Sequence, residues 1–390
     1  MSNIFDYLVW RGDLSIDAAP INEVDLAILS ALVYIEFEDV ASSNLTGKTI
    51  AELAERFGDK AKVTEVLDFD KSVNRLWSLL GSSPRFAAAK MRRFVSLTED
   101  NEIDEYDKQF CAATFSFDSR DGEVAVVTFR GTDSTMIGWR ENFTMAYEDT
   151  VPAQLEATAY INNALQRFER VHICGHSKGG NLSLYAAATA KAKLRDRIIS
   201  ITNFDGPGLN DAMLATPGWA AVKGRVRTLV PPSSVVGMLF GNGEPRNVVQ
   251  ADGSGFLQHD LFMWHVEGPA FVPATEMTSS SAIFDRAIDE YIATTSVEER
   301  KNFVYGLFKI IDAAGIRTTE DMVPLMAKSL PGIIVGSGKP KGESFYTEDE
   351  AAALKDFWGC LKRSGATEIS EGISGLARPL LDKLKGDSGE

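Results

Sequence analysis

The chain has 390 residues, 44% of them hydrophobic, and a formal net charge of −15. That length and apolar fraction bury a sizeable core and accommodate one large α/β domain with an appendage, or two domains. The acidic balance excludes a nucleic-acid partner bound through clustered Lys and Arg, and it gives no support for docking on anionic lipid.

Cys111, Cys174 and Cys360 stand far apart with no C-x-x-C, so neither a zinc knuckle nor a redox pair is suggested. They read as small core residues of a protein in a reducing compartment. The first residues, Met-Ser-Asn-Ile-Phe-Asp-Tyr, carry no basic or apolar leader, and no apolar run approaches membrane-spanning length. The expected location is cytoplasmic.

In chain order, Asp13 to Glu23 is irregular, and Asn22 to Phe37 and Glu65 to Leu80 place apolar residues at near-helical spacing. The first hundred residues are therefore expected to be mostly helical. Phe110 to Phe117 and Glu123 to Arg130 read as strands joined by the turn formers Asp118 to Gly122, which is a hairpin pattern. Ala153 to Glu169 is an amphipathic helix. Val171 to Cys174 is a short apolar strand, followed by an Ala-rich helical stretch from Leu182 to Ala192. Ile198 to Phe204 and Arg225 to Val230 are further strands, with short ones at Asn247 to Gln250 and Met263 to Val266. Ser281 to Ala293, Val297 to Ala314 and Asp349 to Arg363 read as helices, 332–342 as a Gly- and Lys-rich loop, and 385–390 as a polar end.

Strands alternating with helices predict an α/β fold around a mainly parallel central sheet, with right-handed crossovers. The expected organisation is an α/β domain over 1–272 and a C-terminal helical extension over 273–390. Within the first, 1–100 is mostly helical and 101–272 forms the sheet-bearing core.

Between the Val171 strand and its helix lies Gly175-His176-Ser177-Lys178-Gly179, a G-x-S-x-G. Strand, sharp turn and helix are the context in which this pattern forms a nucleophile elbow. The helix N-terminus behind Ser177 offers N–H groups to a developing oxyanion. A serine hydroxyl needs a histidine base, an acid that orients it, and oxyanion donors.

The chain has four histidines. His172 lies in the elbow strand and His176 in the turn, so neither reaches round to Ser177. His259 sits in a Gly-containing loop beyond the strands, where a base belongs, whereas His265 reads as a packed residue. For the acid, Asp205 directly follows the Ile198 to Phe204 strand, with Asp252, Asp260 and Glu244 as competitors. The oxyanion donors are expected to be the backbone N–H of Lys178 and the N–H and hydroxyl of Thr132, in Phe129-Arg-Gly-Thr-Asp133. The Lys178 side chain is expected to point away from the site and pair with a carboxylate. Met238-Leu-Phe240 and Phe256-Leu257 are candidates for an acyl pocket. No metal and no cofactor is implied, and the partner is a small ester or acyl substrate.

Two segments carry a resemblance. Val126-Val-Thr-Phe-Arg-Gly-Thr-Asp133, with Trp139 shortly after, resembles the oxyanion segment of the class 3, fungal-type lipases. Gly175-His-Ser-Lys-Gly-Gly180 resembles their elbow. The opening Phe5-Asp-Tyr-Leu-Val-Trp-Arg-Gly-Asp13 and the Gly-His-Ser-Lys-Gly-Gly form are similar to a bacterial family of the same superfamily that lacks an established substrate. The resemblance implies an α/β-hydrolase fold and a serine hydrolase, first an esterase or lipase-like enzyme. Thioesterase or acyltransferase chemistry, or a catalytically impaired binding protein, are its alternatives. In class 3 lipases the acid follows the next strand, in an Asp-x-Val-Pro context. Here Arg227-Thr-Leu-Val-Pro-Pro-Ser-Ser234 puts Ser233 and Ser234 in that place, so the acid has either moved to Asp205 or been lost.

Overall fold

Alternation along the strands decides how the layers form. In the computed structural model, residues 1–37, 47–58, 62–63, 69–99, 108–133, 136–240, 245–313 and 347–365 are described. Glu244, the 332–342 loop and the 385–390 end lie outside them.

Seven strands, β1 (Lys90–Glu99), β2 (Lys108–Phe117), β3 (Val124–Phe129), β4 (Val171–His176), β5 (Ile198–Phe204), β6 (Val226–Val230) and β7 (Arg246–Val248), form one sheet in sequential order. β1, β2 and β3 pair antiparallel. From β3 to β7 every pairing is parallel. The mainly parallel sheet flanked by helices is the expected α/β-hydrolase-like architecture.

Cys111, Ala113, Phe115, Val126 and Cys174 point to one face, and Phe110, Ala112, Ala125, Val127 and Ile173 to the other. The central strands β2, β3 and β4 are buried on both sides, as a sheet covered by two helical layers requires. The first face is covered by the helices that precede the sheet, α1 (Ile4–Arg11), α2 (Glu23–Leu32), α3 (Ile50–Phe57) and α4 (Phe69–Leu80). Capping boxes at Asn3 with Asp6, Asn22 with Asp25, and Thr49 with Glu52 fix where the first three begin. The second face carries crossover helices α6 (Pro152–Arg167), α7 (Lys178–Thr189) and α9 (Pro217–Val222). Two more helices lie between strands, α5 (Met136–Thr144) after β3 and the short α8 (Asp211–Leu214) after β5.

Two expectations are refined. The first hundred residues, expected to be mostly helical, carry helices α1 to α4 and also β1 at Lys90–Glu99. Its alternation is hidden by an irregularity in register between Met91 and Arg93, and it carries charge as an edge strand does. The expected strand at Met263 to Val266 is broken: Met263 closes a 3-10 turn, Leu261–Met263, and Trp264 makes an isolated bridge to Ala251. Val266–Glu267 pairs with Ala270–Phe271.

A buried ion pair locks the N-terminal layer. Arg85 Nε donates to Asp25 Oδ1 at 2.7 Å, and its other nitrogens reach the carbonyls of Leu14, Ala19 and Pro20. Tyr7 Oη also donates to Asp25 Oδ1, at 2.8 Å. The irregular Asp13 to Glu23 segment is thus held by one guanidinium rather than by regular structure. Removing one partner of a buried pair strands the other charge. Asp25→Ala is expected to cost about 3–5 kcal/mol of stability, read as a lowered urea midpoint.

The C-terminal helices α10 (Ser279–Thr294), α11 (Val297–Ala313) and α12 (Glu348–Arg363) pack together through Tyr291, Phe303 and Phe357. They meet the sheet-bearing part at several points, among them an ion pair between Asp285 of α10 and Arg246 of β7 at 3.4 Å. Val304, Phe308 and Ile311 pack on Trp139 and Phe143 of α5. The start of α10 meets the loop after β6, where Ser281 Oγ donates to the Ser234 carbonyl and Thr278 N–H to Pro232 O at 2.8 Å.

Candidate active site

β4 ends at His176, and α7 begins at Lys178 rather than at Leu182, so Ser177 alone makes the turn. Its φ of 58° and ψ of −132° lie where non-glycine residues are strained by about 1–3 kcal/mol. The neighbouring backbone imposes this conformation. Ser177 N–H donates to Phe204 O at 2.9 Å. A Cβ on Gly179 would lie 2.0 Å from Phe129 O, and one on Gly175 2.2 Å from Gly179 O. Both glycines are therefore required by close approach, not by unusual dihedral angles.

Asp205 follows β5 in a similarly strained turn, with φ of 49°. It is buried, and its two oxygens have different partners. Oδ2 lies 2.7 Å from His259 Nδ1, while Oδ1 accepts from Ser234 Oγ. Asn203 supports the turn, accepting from Gly206 N–H at 2.8 Å and donating to Gly206 O at 3.0 Å. The serine in the place of the class 3 acid thus contacts the carboxylate one strand away. Ser234 was not expected to have any role. A Ser-Ser after Pro-Pro reads as a turn, and no local signal marks it.

His259 ends a 3-10 turn, Gly255–His259, anchored by its neighbour Gln258. Gln258 accepts from Ser233 N–H at 2.9 Å and donates to the carbonyls of Ala251 and Gly253. The His259 ring lies 4.5 Å from that of His176, the residue before Ser177, and 5.3 Å from Phe256. His176 Nε2 is 2.7 Å from the His259 carbonyl.

The Phe129–Asp133 segment runs beside the elbow. A Cβ on Gly131 would lie 2.7 Å from His176 O and 2.9 Å from Ser177 Cβ, so only glycine fits there. Thr132 is buried, and its Oγ1 accepts from Asn142 Nδ2 at 2.6 Å, which leaves its hydroxyl hydrogen to be donated elsewhere. Asp133 N–H is held by Gln109 Oε1 at 3.2 Å.

The Lys178 ammonium is buried and turned away from the elbow. It lies 2.7 Å from Glu141 Oε2 and 2.6 Å from Gln109 O. Glu141 also accepts from the N–H groups of Gln109 and Ala153. One carboxylate on α5 therefore ties β2, α6 and the first residue of α7 together.

The remaining candidates lie apart from this arrangement. His265 Nε2 pairs with Asp252 Oδ1 at 2.8 Å, so those two residues occupy each other. Asp260 caps the following turn through Phe262 N–H at 2.8 Å. His172 Nδ1 meets Ser200 Oγ at 2.7 Å on the sheet.

Burial, with a smaller contribution from Arg170, pushes the His172 pKa from 6.5 down to about 4. The unfolded chain accepts this proton near pH 6.5 and the folded protein only near pH 4. The stability is therefore whole above pH 6.5 and lost as pH falls through that window. Because the ring is only partly buried, we expect His172→Gln to recover about 2 kcal/mol of that acid loss. Urea unfolding of both proteins at pH 7.5 and 4.5 measures it. Equal losses in the two would refute the assignment.

The mainly parallel sheet between two helical layers defines the class as α/β-hydrolase-like. The Mbeg1-like family model matches residues 80–309, and the chain belongs to that family. Among solved structures it is similar to the crystal structure of M37 lipase, at 15% identity and a TM-score of 0.32, over 55% of this chain and 68% of that one. No curated protein matches it. Among the described residues no helix is long and apolar enough to cross a membrane.

Proposed function

We propose that the protein is a serine hydrolase, a carboxylic ester hydrolase first, working through an acyl-enzyme. Ser177 Oγ attacks the acyl carbonyl, and His259 takes its proton and returns it to the leaving alcohol. Asp205 accepts from His259 Nδ1–H, fixes the tautomer and stabilises the imidazolium that forms. The N–H groups of Lys178 and Thr132, with the Thr132 hydroxyl, hold the oxyanion. Water activated by His259 then releases the acid. Phe256, beside His259, belongs to the acyl side of the site. No step calls for a metal or a cofactor.

The observation that carries this reading is the 2.7 Å hydrogen bond from His259 Nδ1 to a buried Asp205, set beside a serine held at positive φ. A fluorophosphonate probe tests it. We expect a single adduct on Ser177 in the folded protein and none after heat denaturation. An unlabelled folded protein would sink the proposal. A panel of p-nitrophenyl esters of rising acyl length then reports the acyl pocket, and thioesters and amines as acyl acceptors separate the neighbouring chemistries.

A further inference from the structure

We propose that Tyr34 and His176 form a buried relay of hydrogen bonds that positions the His259 loop and the oxyanion segment against Ser177. The inference rests on the hydrolase reading above and adds to it two positioning residues outside the triad.

The polarity of the relay follows from its partners. The His259 carbonyl can only accept, so at 2.7 Å His176 Nε2 must carry a hydrogen. Burial, reinforced by the neighbouring His259, holds the His176 pKa well below its usual value, so the ring is neutral. Its Nδ1 is then an acceptor, and Tyr34 Oη, 3.4 Å away, is the donor. Tyr34 Oη in turn packs against Gly131. The chain therefore runs in one direction, from the Tyr34 hydroxyl through the His176 ring to the His259 carbonyl.

Packing keeps both rings in place. Phe69 of α4 stacks on His176 with centroids 5.8 Å apart and planes 17° apart, and meets Tyr34 edge-on at 4.9 Å. A Cβ on Gly131 would lie 2.2 Å from Tyr34 Oη.

The connectivity makes the relay more than a core contact. His176 is covalently joined to Ser177, and Gly131 to Thr132. A shift of the elbow carries His176 with it; the His259 loop follows through these bonds, and the oxyanion segment through the packing of Gly131 on Tyr34. Asp205 grips the His259 ring while His176 grips its main chain, so the loop is held from two sides. Reacting groups held this way keep a near-attack geometry, whose loss by about 1 Å costs on the order of 100-fold in rate.

Four variants of the full chain test the relay with p-nitrophenyl butyrate. In His176→Asn, which is too short to reach His259 O, kcat should fall about 10- to 100-fold with KM within about twofold. His176→Gln, whose Nε2 replaces the imidazole donor, should return to within about threefold of wild type. Tyr34→Phe, a conservative change, should lower kcat about tenfold, and adding it to His176→Asn should cost little more. Wild-type kcat in His176→Asn and Tyr34→Phe, or equal loss in the Asn and Gln variants, would overturn the relay. Imidazole nitrogen correlation spectra of the wild type at pH 7 should show His176 protonated at Nε2 and bare at Nδ1. The opposite tautomer overturns the relay whatever the activity. If the tautomer is as expected but wild type neither hydrolyses ester nor labels at Ser177, the hydrolase reading falls and the positioning role falls with it.

Discussion

Ser177→Ala is expected to lower kcat/KM for any accepted ester by about 10⁴- to 10⁶-fold and to abolish fluorophosphonate labelling, while the protein melts at or above the wild-type temperature. The loss is large because no other group in the proposed mechanism can form the acyl-enzyme. What survives is the contribution of the oxyanion donors and of binding. The stability expectation follows from the removed hydroxyl, which has no part in holding the turn together. The elbow is fixed by Ser177 N–H on Phe204 O and by the close approach of Gly175 and Gly179 to backbone. Residual hydrolysis within about tenfold of wild type would mean that another residue carries the chemistry.

The second large effect is expected at Asp205. Asp205→Asn keeps the volume but offers His259 Nδ1 an amide in place of a carboxylate, which favours the wrong tautomer and no longer stabilises the imidazolium. A drop in kcat of about 10⁴-fold is expected, with KM little changed. Ser234→Ala gives the contrast. It leaves Asp205 Oδ1 without its serine donor but keeps the charge and the bond to His259. A buried acceptor that loses its partner costs about 1–3 kcal/mol, so a kcat loss of roughly tenfold is expected there. Equal losses in the two variants would show that Asp205 acts as a structural anchor rather than as the acid. An unchanged Asp205→Asn would return the question to the other carboxylates.

The nucleophile turn was legible because its geometry demands particular residues in a row. Gly175 and Gly179 are dictated by backbone atoms a few ångströms away, and such demands leave a pattern in five consecutive positions. The proposed base was reached by elimination among four histidines, and the proposed acid by its place after β5. The partners that support them left no comparable trace. Tyr34 and His176 are separated by 142 positions, Lys178 and Glu141 by 37, and Ser234 and Asp205 by 29. A tyrosine just beyond the end of α2 looks like any core aromatic. A lysine inside the elbow announces that it needs a carboxylate, but not which one. β1 escaped for a different reason. Its irregular register and its Lys90, Arg92 and Arg93 disrupt the alternation by which strands are recognised. Helix α5 was missed as well, and it supplies both Asn142 beside Thr132 and Glu141 beneath Lys178.

The strictly sequential order of the strands bears on how the protein comes off the ribosome. Each strand from β2 onward pairs with the one made just before it, so the sheet can grow by accretion at one edge as synthesis proceeds. The nucleophile strand and its helix have a complete bed while the later sequence is still being made. The His259 loop is synthesised 54 residues after the carboxylate it binds, and Ser281, which braces Ser234, another 22 later (281 − 259). A nascent chain would therefore carry a formed elbow with no His259 beside it. On the proposed mechanism, hydrolytic competence would arrive late, after the seven-stranded sheet has been completed.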